Sequence, residues 1–362
     1  MSDWNPSIVV IENVINHPNA DRLDIATVLG DYPVIVKRDE YKVGDVACYL
    51  PIDTIVPDTE QFYFLSPKAY EKYEENGEIK QRQAGNKYPV GSVPERYRIL
   101  KAKKILNVYS QGMLIPAIAG LNVGDSVVDV LGLKKHEEEE EENVQFKKPR
   151  GANAAAPPKG FSIPYYDIES LRKYTSCLAE GEEVVLSEKI HGSNAGFCFD
   201  GEKLWSKSRN FYKKDDPDDM WIDIANRYDL ANKLSKYPMF VFFGEIYGQV
   251  KGFRYDTTIV DGQLPLKIRF FDIWNAKTMR YVDYDEFVAI TTELGLDVAP
   301  ELYRGPWTNK NEMYPYAEGM STLNPKHVRE GFVLRTAKER YEPHLNSRMQ
   351  VKLVGQGYNL QK

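Results

Sequence analysis

Residues 187–196 read SEKIHGSNAG. The stretch ends one apolar run, EEVVLSEKI, on a lysine and a histidine two residues apart, then turns through a glycine into a second, AGFCF. β-Branched and aromatic residues on both sides predict two strands, and Asp200-Gly201 predicts a tight two-residue hairpin into KLWSKS. Further strands are expected at MFVFFGEIY, KIRFFDIW, GFVLRT and MQVKLVG, with helices over 217–236 and 283–295, the second closed by Gly295. Strands dominate with helices between them, so this half of the chain reads as α+β with mainly antiparallel sheets.

Charged residues recur inside these apolar strands. Lys189 and His191 are followed by Arg209 in SKSRN, Glu245 in FFGEIYG, Asp272 in RFFDIW, Glu330 in EGFVLR and Lys352 in MQVKLVG. Ionised groups rarely occupy such positions unless they are paired or functional. Singly, each has an ordinary reading: a strand-end lysine with its ammonium in water, or a carboxylate in a salt bridge. The chain has no GxxxxGK[ST], no GxGxxG after a strand and no HExxH, so a nucleotide would be held by neither a P-loop nor a Rossmann turn. Five scattered histidines and Cys48, Cys177 and Cys198 without CxxC spacing argue against a zinc site or a disulfide framework.

Upstream, residues 134–160 (KKHEEEEEENVQFKKPRGANAAAPPKG) combine an acidic block, small residues and a Pro-Pro pair, a composition that favours solvated chain. They divide a domain over 1–133 from one over 161–362. The first domain reads as short strands and turns. KVGDVACYLP at 42–51 and NVGDSVVDVL at 122–131 echo each other, each a Gly-Asp turn feeding a strand, which suggests a small closed β-barrel with 59–98 as a surface excursion.

The whole is 362 residues, with 42% hydrophobic content, 24 Tyr and 15 Phe, as in soluble globular proteins. No apolar run approaches the roughly 20 residues that cross a bilayer, and MSDWNPSIVV lacks the pattern of a signal peptide. A cytoplasmic protein without a membrane or obligate protein partner is expected. The net charge of −6 does not mark a nucleic-acid binder, but six of the acids are the local run Glu137 to Glu142.

Two resemblances follow from these motifs. HPNADRL and SxGM resemble OB-fold modules of the tRNA-binding type; there His17 reads as a turn residue, and Lys101, Lys103 and Lys104 as either phosphate contacts or a solvated face. In the second half the collinear series KxHG, SRN, GEIYG, aromatic-Asp, EGFV and a lysine strand resembles the covalent nucleotidyltransferase superfamily of ATP- and NAD-dependent ligases and mRNA capping enzymes. His191 in the third position resembles the phage RNA ligase 2 type. The barrel placed in front resembles Deinococcus-type RNA ligases with an N-terminal OB module.

The resemblance implies an N-terminal all-β OB-fold domain, a C-terminal α+β adenylation domain, and an ATP-dependent RNA ligase working in RNA repair. It implies Lys189 as the AMP-accepting nucleophile, with His191 and Lys352 also catalytic. Glu188 would read the adenine amino group, and Phe271, with Phe270 as fallback, would stack on the base. Gly192 would let backbone approach the nucleotide. Asn194, Arg209, Asp272 and Lys352 would join the nucleotide site, and Glu245 and Glu330 would hold Mg²⁺ or Mn²⁺. The substrate would be RNA with 3′-OH and 5′-phosphate ends, including a nicked duplex. Gln350 stands where many relatives carry the first lysine of Lys-x-Lys, so Lys251, Arg254 or Arg348 would supply the missing charge. A DNA ligase, a capping guanylyltransferase and a non-catalytic RNA-binding protein are the alternatives.

Overall fold

The computed structural model describes residues 4–75, 78–136, 154–158, 160–250, 253–255 and 266–360. The chain divides into two compact units, Ser2–Glu137 and Glu138–Gln361. Most of the acidic segment lies outside the described residues. Of its ends, Lys134–Lys135 pairs with Thr54–Ile55 in the first unit, and Ala154–Ala155 with Tyr212–Lys213 in the second. No described helix is long and apolar enough to cross a membrane.

In the first unit, strand Val46–Leu50 runs between Ser7–Val10 and Met113–Pro116, and Asn13–Asn16, Leu23–Val28 and Tyr32–Lys37 form an antiparallel meander. The ladders join these strands as separate sheets and not as the single closed ring expected. The sequence echo has a common geometry. At each Gly-Asp turn the aspartate carboxylate accepts an N–H three residues back at 2.7 Å, from Lys42 to Asp45 and from Asn122 to Asp125. Gly44 and Gly124, at φ of +92° and +94°, each donate to strand Ser7–Val10 or its extension, at Ile11 and Ile8, both at 2.8 Å. The excursion over 59–98 carries the antiparallel hairpin Lys68–Glu75 and Glu78–Asn86.

His17 is a turn residue, as expected. It is buried, its Nδ1 accepts from the Asn19 N–H at 3.1 Å, and its Nε2 lies 3.1 Å from the Ile105 carbonyl. Ser110 and Gly112 of SQGM are structural too: the Ser110 hydroxyl accepts from the Ile35 N–H, and a Cβ at Gly112 would stand 2.5 Å from the Leu50 carbonyl oxygen.

The second unit contains two sheets. The seven-stranded sheet orders Ala154–Ala155, Tyr212–Lys213, Leu204–Ser208, Ser193–Phe199, Phe240–Tyr247, Lys267–Asn275 and Arg280–Tyr281. The five-stranded sheet orders Glu169–Ser170, Gln350–Val354, Gly331–Thr336, Glu183–Lys189 and Glu301–Pro306, antiparallel except for its first pair. One core gathers Ala195, Phe197, Phe242, Ile246, Ile268 and Phe270 with Ile224, Leu230 and Phe287 of the helices. A second gathers Val184, Leu186, Phe332, Leu334, Val351 and Leu353.

Local geometry corrects two expectations. The connection after Phe199 has four residues, because Phe199 pairs with Leu204 while the Asp200 carboxylate accepts from the Glu202 and Lys203 N–H groups and from Trp205 Nε1. The helix expected over 217–236 is two, Met220–Arg227 and Leu230–Leu234, broken where Asp229 takes a left-handed conformation at φ 52°. The second helix, Tyr284–Glu293, does end near Gly295, which has φ 58°.

Candidate active site

Lys189 is the last residue of strand Glu183–Lys189 and pairs with Gly331. That pairing sets Glu330 beside it, and Lys189 Nζ donates to Glu330 Oε1 at 2.6 Å. Gly331 is obligatory here: it has φ +151°, and a Cβ would lie 1.9 Å from the Leu353 carbonyl oxygen. The EGFV motif is thus a strand entry whose glycine lets Glu330 sit against the lysine.

Side chains alternate across a strand, so Lys189 and Ser187 share one face while Glu188 lies on the other with Val184 and Leu186. Glu188 is 2% exposed. Its carboxylate accepts from the Ser321 hydroxyl at 2.5 Å, the Thr322 N–H at 2.9 Å and the Thr322 hydroxyl. It is engaged inside the fold on the side away from Lys189. Lys352, in register with Val333 and through it with Ser187, is on the Lys189 face of the sheet, half-buried.

The turn Ile190–Gly192 carries the chain from this sheet to the other. A Cβ at Gly192 would stand 2.2 Å from the Ile246 carbonyl oxygen and 2.9 Å from Glu245 Cγ. The neighbour that requires a bare glycine is therefore the GEIYG strand itself, and the close approach brings the lysine turn against Glu245. Across the seven-stranded sheet Asn194 pairs with Glu245, and Glu245 with Arg269. Trp221 Nε1 holds the Asn194 carbonyl at 3.0 Å. Arg209 lies in the exposed turn after Ser208, whose pairing with Ala195 puts the turn at the Asn194 end of the strand.

Tyr255 ties these groups together. It is buried with Ile190 and Tyr247, and its hydroxyl accepts the His191 N–H at 2.9 Å. Burial, with the carboxylates of Glu330, Glu188 and Glu245 nearby, pushes that hydroxyl well above the ordinary tyrosine range. The His191 ring meets a second tyrosine, with Nδ1 2.5 Å from the Tyr358 hydroxyl.

A β-bulge breaks the regular alternation of faces along RFFDIW. Phe243 pairs with Asp272 and Gly244 with Phe270, which leaves Phe271 as the extra residue. Phe270 and Ile273 therefore both enter the helix-covered core, whereas Phe271 is half-buried between Tyr166 and the Ile190 cluster. Phe270 is fully buried, so the fallback stacking residue has no surface to offer a base.

Asp272 is fully buried as well. It accepts from Arg335 at 3.0 Å, from Arg348, and from the Tyr166 hydroxyl at 2.7 Å. Arg348 also pairs with Glu339 at 2.5 Å and lies 3.9 Å from the centre of the Tyr281 ring. This arginine is committed to the interior and does not replace the missing motif lysine. Lys251 and the Arg254 side chain lie outside the described residues. Gln350 is buried with its amide oxygen position 2.9 Å from the Tyr166 hydroxyl. A phenol has one proton: with the amide turned to present its NH₂, Gln350 donates to Tyr166 and Tyr166 donates to Asp272.

The geometry thus brings together Lys189, Glu330, Glu245, Asn194 and His191, with Lys352 on the same sheet face as the lysine, and sends Glu188 and Asp272 into structural networks. Residues 182–354 match the RNA ligase family. This unit belongs to the RNA ligase family. Residues 6–84 match an OB-fold domain family. No curated protein matches the chain. Among solved structures it is similar to a Naegleria gruberi RNA ligase variant with ATP and Mn, at TM-score 0.74 and 19% identity over 98% of both chains. It is likewise similar to the Naegleria gruberi RNA ligase with PPi, at TM-score 0.71 and 18% identity over 99% of both chains. A variant of that enzyme with AMP and Mn gives TM-score 0.72 and 18% identity over 99% of both chains. At this identity the likeness establishes the fold, which extends over both units.

The ligase unit also uses residues the sequence did not advertise. Tyr166, Tyr255, Tyr358 and Ser321 stand outside every motif, and in a chain with 24 tyrosines none carried a local signal.

Proposed function

We propose that this RNA ligase joins RNA 3′-OH and 5′-phosphate ends through a covalent lysyl-AMP at Lys189, with ATP as the adenylyl donor. The observation that carries the reading is the Lys189–Glu330 pair held at the mouth of a glycine turn against Glu245. In the first step the Lys189 amine attacks the α-phosphorus, an N–P bond forms and the bond to pyrophosphate breaks. The AMP then passes to the RNA 5′-phosphate, and attack by the 3′-hydroxyl forms the phosphodiester and releases AMP.

Glu330 holds the amine in place and must release it before attack. Glu245 and Glu330 form an all-oxygen donor set that suits Mg²⁺ or Mn²⁺. When bound, such a cation would neutralise charge developing on the phosphates. Phe271, half-buried beside Ile190, stacks on adenine in this reading. Lys352, Arg209 and Asn194 are the remaining phosphate contacts, and the OB-fold unit holds RNA through backbone contacts.

The test is incubation with ATP labelled at the α-phosphate and a divalent cation, followed by denaturing gel. Label on the wild type and none on Lys189→Ala is expected. Absence of label on both, with GTP and NAD also inert, would overturn the reading. Nicked and single-stranded RNA and DNA, offered next, identify the strand that is sealed.

A further inference from the structure

His191 departs from the aspartate of DNA ligases and capping enzymes, and its side chain reaches a residue close to the C-terminus. The short helix Gln356–Asn359 begins at Gly355, whose N–H donates to the Glu330 carbonyl at 2.8 Å. The Glu318 carboxylate then accepts from the Gln356 N–H at 2.7 Å and the Gly357 N–H at 3.1 Å. The glycine at 355 is required, since a Cβ there would lie 2.5 Å from the Ala317 carbonyl oxygen. This anchoring sets Tyr358, 2% exposed, with its hydroxyl 2.5 Å from His191 Nδ1. From the other side the Tyr255 hydroxyl accepts the His191 N–H at 2.9 Å, so the backbone and the ring of one residue are each held by a buried tyrosine.

We propose that Tyr358 is a positioning residue for nucleotidyl transfer: its hydroxyl donates to His191 Nδ1, fixing the ring in the tautomer that carries its proton on Nε2. The inference rests on the reading of His191 as a participant in the transfers. A neutral imidazole has one donor and one acceptor nitrogen, and the hydrogen bond made by one decides what the other presents. With Nδ1 occupied as acceptor, Nε2 becomes a fixed donor for a phosphoryl oxygen. The helix that carries Tyr358 is tied to Glu330, so the orientation of the histidine and the placement of the nucleophile's partner share one anchor.

The experiment uses the full chain as wild type, Tyr358→Phe, His191→Ala and the double variant. Lysyl-AMP formation, AMP transfer to 5′-phosphate RNA, and sealing of pre-adenylylated RNA are timed separately. Tyr358→Phe keeps the buried ring and is expected to slow the step that His191→Ala slows, by about tenfold, the scale of one lost hydrogen bond to a working group. RNA KM should be unchanged and the double variant no slower than His191→Ala. Nitrogen NMR of the histidine ring should show an unprotonated Nδ1 in the wild type and a mixture of tautomers in Tyr358→Phe. Wild-type rates in Tyr358→Phe, additive losses in the double variant, or loss of lysyl-AMP in Tyr358→Phe but not in His191→Ala would overturn the proposal. Wild-type rates in His191→Ala with the tautomer change intact would instead overturn the reading of His191.

Discussion

Phe270 and Phe271 are adjacent and chemically identical, yet their environments separate what each can do. Phe270 is enclosed by Phe197 and Phe242 at ring-centre distances of 6.4 and 6.3 Å, whereas Phe271 is half-buried beside Ile190. Phe270→Ala should cost about 3–5 kcal/mol of stability, the usual penalty for emptying a buried phenylalanine site. Phe271→Ala should lower the melting temperature less than Phe270→Ala does and raise the KM for ATP in the labelling assay severalfold. Gly331 is constrained more sharply: the 1.9 Å approach of the Leu353 carbonyl and its φ of +151° forbid a side chain. Gly331→Ala is expected to destabilise the unit by about 3 kcal/mol or more, read by thermal or urea unfolding.

Among the elements, the bulged strand Lys267–Asn275 and the last strand Gln350–Val354 decide the site. The bulge supplies one residue more than its partner strand, and this redirects Phe271 and Asp272 together. Asp272 then neutralises Arg335 and Arg348 inside the protein, with Glu339 as the second acid. Removing one member of a buried charge network leaves the rest uncompensated. Asp272→Asn should therefore lower stability by about 3–5 kcal/mol in urea unfolding, while below its melting temperature the KM for ATP stays at the wild-type value. A large KM change with normal stability would instead restore Asp272 to nucleotide binding.

For the whole molecule, the net charge of −6 conceals a local cationic surface. Lys101, Lys103 and Lys104 are all exposed beside the hairpin Lys103–Ile105 and Val108–Ser110, where Lys104 also lies 5.2 Å from the centre of the Tyr109 ring. If these lysines meet phosphates, each releases counterions on binding. Replacing all three by alanine should weaken RNA binding and flatten the dependence of log K on log salt by roughly one unit per lysine, with lysyl-AMP formation unaffected. An unchanged salt slope would assign them to a solvated face.

The collinear order of KxHG, GEIYG, EGFV and the final lysine strand pointed to the RNA ligase family, period-two patterning to mainly antiparallel sheets, and HPNADRL and SxGM to a front OB-fold unit. Those features are local: a strand's alternation and a glycine turn are set by neighbours in the chain, whereas the close approaches that make Gly192 and Gly331 obligatory come from Ile246 and Leu353, far along it. What only the tertiary structure decided depends on groups far apart in sequence. A bulge broke the alternation of faces along RFFDIW, Glu188 turned to Ser321 and Thr322 across 133 and 134 residues, and Arg348 closed on Asp272 across 76. Tyr166, Tyr255 and Tyr358 acquired their roles the same way. A hydroxyl or carboxylate becomes structural or functional according to the partner that folding puts within about 3 Å of it, and that partner is not written in the residues beside it.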